Sequence, residues 1–291
     1  MSHTIVMTGA SRGIGRAAAE HIARESPDTR LVVVGRETAD LASLESTRAA
    51  ATGIRDRLDR GDLPPLRGFV GNAGAQYANA RTAGPDGFEA TFAVNVLANH
   101  LFVRLLQDRF VTPARIVITV SDTHFGDLRH NLGMVPGPVW QSPGVLARPG
   151  AFPEPDSVAA GRTAYATSKL AAIYLVHEYA RRLPAGVDVV AYNPAFVPGT
   201  GLARAAGPVD RFAMRYLLPA LTLTPFATSP RTAGRALADV ALGVLPAPTG
   251  SYVDRRRVAR SSDESYDPRR ERDLWDAVER LTTASRSRQS P

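Results

Sequence analysis

Residues 4–34 constrain the fold of this chain more than any other stretch. Residues 4–8 alternate β-branched and apolar side chains and then break into a turn with glycines at positions 9, 13 and 15. A helical stretch from Arg16 to Arg24 follows, and Pro27 ends it. The next apolar run, Leu31 to Val34, is continuous, which is typical of a strand buried on both faces. This order of strand, glycine turn, helix and strand predicts a βαβ unit of the dinucleotide-binding type.

The rest of the chain continues to alternate helices and strands. Apolar periodicity predicts helices over about residues 41–58, 87–109, 209–218, 231–242 and 267–281. A further helix carries residues 165 and 169 and ends at about residue 183. Strands are predicted near residues 69–70, 115–120, 187–191 and 252–253. This alternation predicts an α/β fold, a single doubly wound Rossmann-type parallel sheet with helices on both faces.

We expect one domain over residues 1–291. Its cofactor-binding half would span 4–120, its catalytic and substrate-loop region 121–230, and its C-terminal helices and last strand 231–291. Residues 122–162 are rich in proline and glycine and too long for an ordinary connection, which is typical of a functional loop.

Composition narrows the classes of function. The chain has no cysteine, which excludes disulfides, thiolate metal sites and thiol nucleophiles. Its net charge is +7, but the arginines are scattered and cluster only in 255–270, so we do not predict nucleic-acid binding. His124 and His130 lack partners at metal-ligand spacing; we interpret them as surface or pocket-lining residues and predict no metal. No apolar run reaches membrane-spanning length and the first strand begins at residue 4, so we expect a soluble cytoplasmic protein.

The glycine turn has the chemistry of a phosphate site. Glycines let the backbone approach a pyrophosphate, and the free N–H groups of a helix N-terminus attract its negative charge. Arg36 stands at the end of the second strand, where an acidic residue would bind the ribose of NAD, and an arginine there suits a 2′-phosphate. Arg12 could supply a second positive group, although Glu37 lies beside Arg36. The sequence therefore favours NADP(H) over NAD(H).

The segment Tyr165-Ala166-Thr167-Ser168-Lys169 contains the only lysine of the chain, since the other 34 of 35 basic residues are arginines. On a helix, positions four residues apart lie on the same face. An ammonium group beside the phenol would lower the pKa of Tyr165 and make it a usable general acid or base. The alternative is a surface pair on an amphipathic helix, and the pentapeptide alone does not decide between them.

Taken together, the motifs resemble those of the short-chain dehydrogenases/reductases. Thr8 to Gly15, Asn72-Ala73-Gly74, Asn95, Ser121, Tyr165 with Lys169, and Pro194 to Thr200 occur in the order found in that family, over about residues 4–200. The long stretch between Ser121 and Tyr165 and the tail over 250–281 resemble the branch of retinol dehydrogenases and protochlorophyllide reductases.

The resemblance implies a role for each motif residue. Tyr165 would exchange a proton with the substrate oxygen, Lys169 would assist it and hydrogen-bond the nicotinamide ribose, and Ser121 would stabilise charge on that oxygen. Asn95 would hold a proton-relay water, and Thr200 would hydrogen-bond the carboxamide. The implied cofactor-binding residues are Gly9, Ser11, Arg12, Gly13, Ile14, Gly15, Arg36, Asn72, Ala73, Gly74, Tyr165, Lys169, Pro194, Val197 and Thr200.

The sequence departs from the family in three places. Gly71-Asn72 replaces the usual double asparagine, and Pro194-Ala195 replaces the usual Pro-Gly. Between Arg36 and Leu66 the third strand and its preceding helix are missing. Because that strand lies at the edge of a 3-2-1-4-5-6 sheet, its loss is survivable, but it would thin the adenine pocket and expose the second strand. Asp40 as an adenine contact is therefore doubtful.

These observations predict an NADP-dependent oxidoreductase that interconverts a carbonyl and a secondary alcohol on an apolar small molecule. Residues 122–164 and 201–230 would form the substrate pocket, and their Pro, Phe, Leu and Trp140 content favours a hydrophobic substrate. Two alternatives stay open: a non-catalytic cofactor-binding protein, and a biosynthetic enzyme that performs reductive cyclisation or C=C reduction. The resemblance leaves both a homodimer and a monomer open, since many relatives pair through the helices that carry Asn95 and Lys169.

Overall fold

Seven strands form one sheet in the computed structural model, which describes residues 1–131, 133, 135–198 and 227–284. The strands are β1 (His3–Thr8), β2 (Thr29–Val34), β3 (Leu66–Gly71), β4 (Phe110–Thr119), β5 (Val187–Asn193), β6 (Tyr252–Asp254) and β7 (Arg257–Ala259). Their order in the sheet is β2-β1-β3-β4-β5-β6-β7. The strands β1 to β6 run parallel, and β7 pairs antiparallel with β6. The doubly wound fold predicted from the sequence is therefore confirmed.

Helices cover both faces of this sheet. They are α1 (Gly13–Glu25), α2 (Leu44–Asp59), α3 (Ala90–Phe92), α4 (Ala98–Leu106), α5 (Leu128–Asn131), α6 (Pro143–Leu146), α7 (Val158–Arg182), α8 (Pro230–Ala241) and α9 (Pro268–Ala284). A π-helical segment, Ala93–Leu97, joins α3 to α4, and 3-10 turns occur at Gln107–Arg109, Asp122–Phe125 and Asp263–Ser265.

Successive residues of each strand supply two separate cores. In β1, Ile5 and Met7 face a core formed with α1 and α8, whereas Val6 faces a core formed with α2, α4, α7 and α9. This alternation follows from the two-residue period of a strand and leaves the sheet buried between two helical layers. The carboxyl ends of the parallel strands consequently meet at one edge, where the predicted site residues lie.

The missing third strand changes the environment of β2. Among the described residues no strand pairs with the outer edge of β2, so β2 is an edge strand, as the gap in the sequence predicted. The interpretation of Leu31 to Val34 as a strand buried on both faces is wrong: only Val34 is fully buried, and Val33 is 42% exposed. A strand with a continuous apolar run is normally covered by the elements that surround it. Here the third strand and the helix before it, which would lie next to β2, are absent.

Two other segments differ from the sequence analysis. The strand β7 was not predicted, because its residues are exposed and it lies within the arginine-rich stretch 255–270. In that stretch Arg256 pairs with Asp239, and Arg270 with Glu264. The predicted helix over 209–218 lies outside the described residues. None of the helices that the structure describes is both long and apolar enough to cross a membrane.

The C-terminal helix α9 lies across α4 and α7. The Trp275 ring packs edge-on against His100 of α4 and Tyr179 of α7, with ring centroids 5.3 and 4.9 Å apart. Glu271 accepts a 2.7 Å hydrogen bond from His177, and Arg104 forms a 2.6 Å ion pair with Glu279. The C-terminal helix thus covers part of the surface of α4 and α7.

The helices α1 and α8 cross at a glycine. A Cβ atom on Gly234 would lie 2.5 Å from the Ala17 Cβ and 2.7 Å from the Ile14 carbonyl oxygen, so the two backbones approach too closely for any side chain. Gly53, in the middle of α2, has nothing within 4 Å of the same position. The two helical glycines therefore differ only in their packing, which makes them a matched pair.

We expect Gly234→Ala to destabilise the protein by about 1–3 kcal/mol, because overpacking forces α1 and α8 apart. Gly53→Ala should stabilise it by about 1 kcal/mol, because alanine loses less backbone entropy in a helix. Urea unfolding of the two variants and the unmodified protein measures both changes. Destabilisation of similar size in both variants would contradict the assigned crossing.

Candidate functional site

The glycine turn between β1 and α1 is fixed to the segment that follows β3. A Cβ on Gly9 would lie 2.8 Å from Ala73 Cα, and one on Gly15 would overlap the Gly9 carbonyl oxygen. Asn72 Nδ2 donates to that carbonyl over 3.1 Å, and the Ala73 N–H donates to Thr8 Oγ1 over 3.0 Å. The two turns at the carboxyl ends of β1 and β3 therefore form one rigid unit.

A cavity of about 530 Å³ opens in front of this unit. Helix α1 begins there, and the side chain of its N-cap residue Arg12 makes no capping hydrogen bond, so the first N–H groups of the helix remain available to an anion. Ten residues predicted to bind cofactor line this cavity: Gly9, Ser11, Arg12, Gly13, Ile14, Gly15, Arg36, Asn72, Ala73 and Gly74. An uncapped helix N-terminus beside two arginines fits a phosphorylated dinucleotide.

The shortened segment after β2 closes one end of the cavity. The segment turns sharply at Gly35, whose N–H donates to Thr38 Oγ1 over 3.0 Å. At the start of α2 it is held by a 2.6 Å hydrogen bond from the Leu44 N–H to Asp86. Asp40 lines the cavity with this turn, and so does Tyr77 from the loop after β3. Burial raises the pKa of the Tyr77 phenol. Tyr77 was missed in the sequence analysis because no motif includes it.

Tyr165 and Lys169 lie on the buried face of α7, one turn apart. Their exposed fractions are 6% and 4%, which excludes the alternative of a surface pair. Lys169 Nζ donates a 3.0 Å hydrogen bond to the Thr119 carbonyl at the end of β4 and lies 5.5 Å from the centroid of the Tyr165 ring. The long helix α7 thus places both side chains against the carboxyl end of the central strand.

The electrostatics of this pair differ from the prediction. Burial raises the pKa of Tyr165, and a hydrogen bond with the Ser121 side chain opposes that rise. Burial lowers the pKa of Lys169 to about 8. The predicted lowering of the Tyr165 pKa by Lys169 is therefore wrong for this arrangement. The Nζ atom is directed to the Thr119 carbonyl and faces the ring, so its charge does little to offset the loss of hydration at the phenol.

Asn95 lies in the π-helical segment Ala93–Leu97, a type of distortion that is common at functional sites. Its side chain accepts a hydrogen bond from the Ala75 N–H over 2.9 Å and donates to the Ala75 carbonyl over 3.0 Å. Asn95 Nδ2 also donates to Ser168 Oγ over 2.9 Å, which connects the segment to α7. The structure therefore brings Asn95, Tyr165 and Lys169 together around one buried position.

Asn99 explains the departure at Gly71. A Cβ on Gly71 would overlap Asn99 Oδ1, so the space of the family's usual first asparagine is filled from α4 instead. Asn99 Nδ2 donates to the Asn95 carbonyl over 2.9 Å. Sequence reasoning could not pair positions 71 and 99, because nothing in their spacing indicates contact.

The departure at Ala195 places a non-glycine residue in the left-handed region, with φ of 62°. Asn193 Oδ1 accepts a 3.1 Å hydrogen bond from the Ala195 N–H, which helps to hold this conformation. Pro194 and Val197 are buried beside it, and the main chain at Phe196 pairs with Ala227. Thr200 lies outside the described residues.

His124 is a buried structural residue, and its interpretation as a surface or pocket-lining histidine is wrong. It is 1% exposed, and its Nδ1–H donates to the Ser121 carbonyl over 2.5 Å. Its Nε2 accepts a 3.2 Å hydrogen bond from the Ser262 N–H. Burial lowers the pKa of His124 to about 4, so the ring is neutral and connects the Ser121 turn to the C-terminal segment.

Several large apolar side chains of residues 122–164 pack into the protein core. Leu146 and Phe152 are 2% and 5% exposed, and Trp140 packs edge-on against Tyr174 with centroids 4.8 Å apart. The inference of a hydrophobic substrate from the composition of this loop is therefore unsupported at these positions. Their role is to stabilise the loop against α7 and α9.

Comparison with known proteins identifies the family of this chain. No family profile matches the chain. A protein of Streptomyces sp. (strain C5), provisionally named daunorubicin C-13 ketoreductase, is 32% identical over 94% of this chain and 90% of its own length. The chain belongs to the short-chain dehydrogenases/reductases. Human retinol dehydrogenase 13 is 28% identical over 96% of this chain and 84% of its own length. Protochlorophyllide reductase A of Hordeum vulgare is 28% identical over 95% of this chain and 79% of its own length.

Solved structures of short-chain dehydrogenases/reductases share the fold. The 3-alpha-hydroxysteroid dehydrogenase of Pseudomonas sp. B-0831, solved with NADH, matches with a TM-score of 0.59 and 23% identity over 86% of this chain and 94% of its own. A blue fluorescent protein from a metagenomic library, solved with NADPH, matches with a TM-score of 0.58 and 22% identity over 87% of this chain and 95% of its own. The predicted resemblance to the family and to its retinol dehydrogenase and protochlorophyllide reductase branch is confirmed.

The neutral His124 should make the Ser121 turn sensitive to acid. Because burial lowers its pKa from the ordinary 6.5 to about 4, the unfolded chain binds a proton in that pH window before the folded protein does. Stability contributed by His124 is complete above pH 6.5 and is lost as the pH falls towards 4. We expect His124→Gln to cost about 1–3 kcal/mol at neutral pH. The stability difference between the two proteins in urea unfolding should shrink between pH 6.5 and 4; a constant difference would contradict this.

Proposed function

We propose that this chain is an NADP-dependent oxidoreductase that transfers a hydride between a nicotinamide and a carbonyl or secondary alcohol of a small molecule. The observation that carries the proposal is the contact between the buried catalytic residues and the cavity. Gly74 lines the cavity, and a Cβ on it would lie 3.3 Å from Lys169 Nζ and 3.4 Å from Asn95 Oδ1. A cofactor in the cavity would therefore reach the catalytic residues directly.

The N-terminal turn of α1 and the arginines beside it would hold the phosphates. The free N–H groups after Arg12 would bind the pyrophosphate, and Arg36 would bind a 2′-phosphate at the end closed by Thr38 and Tyr77. Close packing at Gly9 and Gly15 keeps side chains out of the path of the pyrophosphate. When bound, the cofactor supplies the hydride.

Tyr165 would carry the proton. Because its pKa is raised, its Oη atom keeps a proton at neutral pH and donates it to the carbonyl oxygen during reduction. Ser121 would hydrogen-bond the same oxygen as negative charge develops on it. Lys169, held by the Thr119 carbonyl, would hydrogen-bond the nicotinamide ribose, and Asn95 would hold a proton-relay water near Lys169.

The names of the relatives support a carbonyl–alcohol reaction. The protein at 32% identity is provisionally named for ketone reduction, and the human protein is named as a retinol dehydrogenase. Burial of Asn95, Tyr165 and Lys169 at the end of the cavity favours turnover over a purely cofactor-binding role. Product analysis would separate simple carbonyl reduction from reductive cyclisation or C=C reduction.

Replacing the proton donor tests the mechanism. We expect Tyr165→Phe to lower kcat for NADPH-dependent ketone reduction about 10²–10⁴-fold, because only the phenol hydroxyl is lost. Nicotinamide fluorescence should report unchanged binding of NADPH, which serves as the control for folding. Retention of activity in Tyr165→Phe would overturn the assigned mechanism. Cofactor binding by the unmodified protein without turnover of any carbonyl tested would favour the non-catalytic alternative.

Arg36 should determine the choice of cofactor. We expect the unmodified protein to bind NADPH more tightly than NADH, and Arg36→Ala to weaken NADPH binding about 10–100-fold, since hydrogen bonds to charged groups contribute about 1.5–3 kcal/mol. Binding of NADH should change little. Arg30→Ala is the matched control, because Arg30 is an exposed arginine on β2 that does not line the cavity. Equal losses for both cofactors would exclude a 2′-phosphate contact.

A further inference from the structure

The loop over residues 72–89, which follows β3, packs against the shortened segment after β2. A Cβ atom on Gly84 would overlap the Ala42 carbonyl oxygen, so the two main chains are in direct contact there. Two residues further along each chain, Asp86 accepts the hydrogen bond from the Leu44 N–H. The loop is therefore fixed to the part of the chain that lacks the third strand and its preceding helix.

Tyr77 belongs to this loop, and its main chain is held from a second side. A Cβ atom on Gly161 of α7 would lie 2.6 Å from the Tyr77 carbonyl oxygen and 2.8 Å from the carbonyl group of Ala78. Helix and loop thus touch without an intervening side chain. The Ala80 N–H also donates to the Pro155 carbonyl over 2.8 Å. The side chain of Tyr77 therefore extends from a main chain that is fixed in the wall of the cavity.

The Tyr77 ring is satisfied by no other ring within the part of the chain that the structure describes. No aromatic side chain there packs against it, and none of those residues hydrogen-bonds its hydroxyl group. Tyr77 is also the only aromatic residue among the described residues that line the cavity. Burial raises the pKa of its phenol, and the charge of Asp40 adds to that rise while Arg36 opposes it. The ring therefore contributes a flat, neutral surface to the end of the cavity at which Arg36 lies.

The chemistry of the cofactor brings its base to this end of the cavity. The 2′-phosphate of NADP is attached to the ribose of adenosine, so a phosphate bound by Arg36 places the adenine ring in the neighbourhood of Arg36. Adenine is a flat heterocycle with a π-face on which an aromatic side chain can stack. Leu41, which lines the same cavity, adds apolar surface. An aromatic side chain in this wall is thus suited to hold the base.

We infer that Tyr77 stacks against the adenine ring and closes the adenine site on the side where the third strand is missing. This inference rests on the proposed function but concerns only the binding of the cofactor. Tyr77 acts on the base and Arg36 on the 2′-phosphate, so substitutions of the two residues have different effects on NADPH and NADH. The loop after β3 thereby supplies a wall that the chain does not build after β2.

The test measures binding of NADPH and NADH by nicotinamide fluorescence in Tyr77→Leu, in Tyr77→Phe and in the unmodified protein. Leucine keeps an apolar side chain but removes the π-face, so we expect both cofactors to bind about 5–50-fold more weakly, by the same factor. Tyr77→Phe is the matched control, because it keeps the ring and removes only the hydroxyl group. It should bind both cofactors as tightly as the unmodified protein does, whereas Arg36→Ala should weaken only NADPH.

A second variant separates stacking from a merely structural role. In Tyr77→Trp, 2′,5′-ADP, which contains adenine but no nicotinamide, should quench the fluorescence of the introduced indole ring. The same ligand should change the fluorescence of the unmodified protein little, since Trp140 and Trp275 do not line the cavity. Weaker cofactor binding by Tyr77→Leu without quenching in Tyr77→Trp would indicate a structural residue and overturn the inference.

The outcomes also distinguish this inference from the proposed function. Tight binding of NADPH that Tyr77→Leu leaves unchanged would overturn the inference alone. Absence of NADPH and NADH binding by the unmodified protein would overturn the proposed function, and this inference with it. Weaker binding by Tyr77→Leu in a protein that turns over no carbonyl tested would support the inference and overturn only the oxidoreductase activity.

Discussion

The hydrogen bond from Lys169 Nζ to the Thr119 carbonyl is the interaction on which the site depends. A buried ammonium is costly unless it is satisfied, and here the end of the central strand supplies the acceptor. Gly74 lies on one side of the ammonium and the Tyr165 ring on another. A compact ammonium suits this enclosed position better than a broad planar guanidinium does. This physical constraint explains why the only lysine of an arginine-rich chain stands there.

Close approaches between backbones make the surroundings of Lys169 rigid. Gly9 packs on Ala73, and Gly161, near the start of α7, packs on the main chain of Tyr77 and Ala78. Each contact excludes a side chain and joins two elements at the carboxyl edge of the sheet. The cavity and the helix that carries Tyr165 and Lys169 are therefore held by the same set of backbone contacts. A substitution at one of them would displace the cavity lining and Tyr165 together.

Most of the fold and the family could be predicted from the sequence, because they follow from local patterns, whereas the roles of the site residues stay predictions. The glycine turn, the alternation of strands and helices, and the missing third strand all leave marks along the chain. Properties that depend on distant contacts could not be predicted. The burial of β2 depends on an absent neighbour, Gly71 is explained only by Asn99, and His124 gains its role from Ser262. The direction of the Tyr165 pKa shift required knowing where the Lys169 charge points.

The C-terminal segment contacts both the turn that carries Ser121 and the helix that carries Tyr165. Through Ser262 it holds His124 and therefore the turn that carries Ser121 and Asp122. Through Glu264 it accepts a 2.8 Å hydrogen bond from Tyr174, which lies on the same helix as Tyr165. The turn and the helix belong to different elements, and their relative position decides whether Ser121 can reach Tyr165. The residues after the last strand thus position Ser121 relative to Tyr165 although they provide no residue of the predicted site.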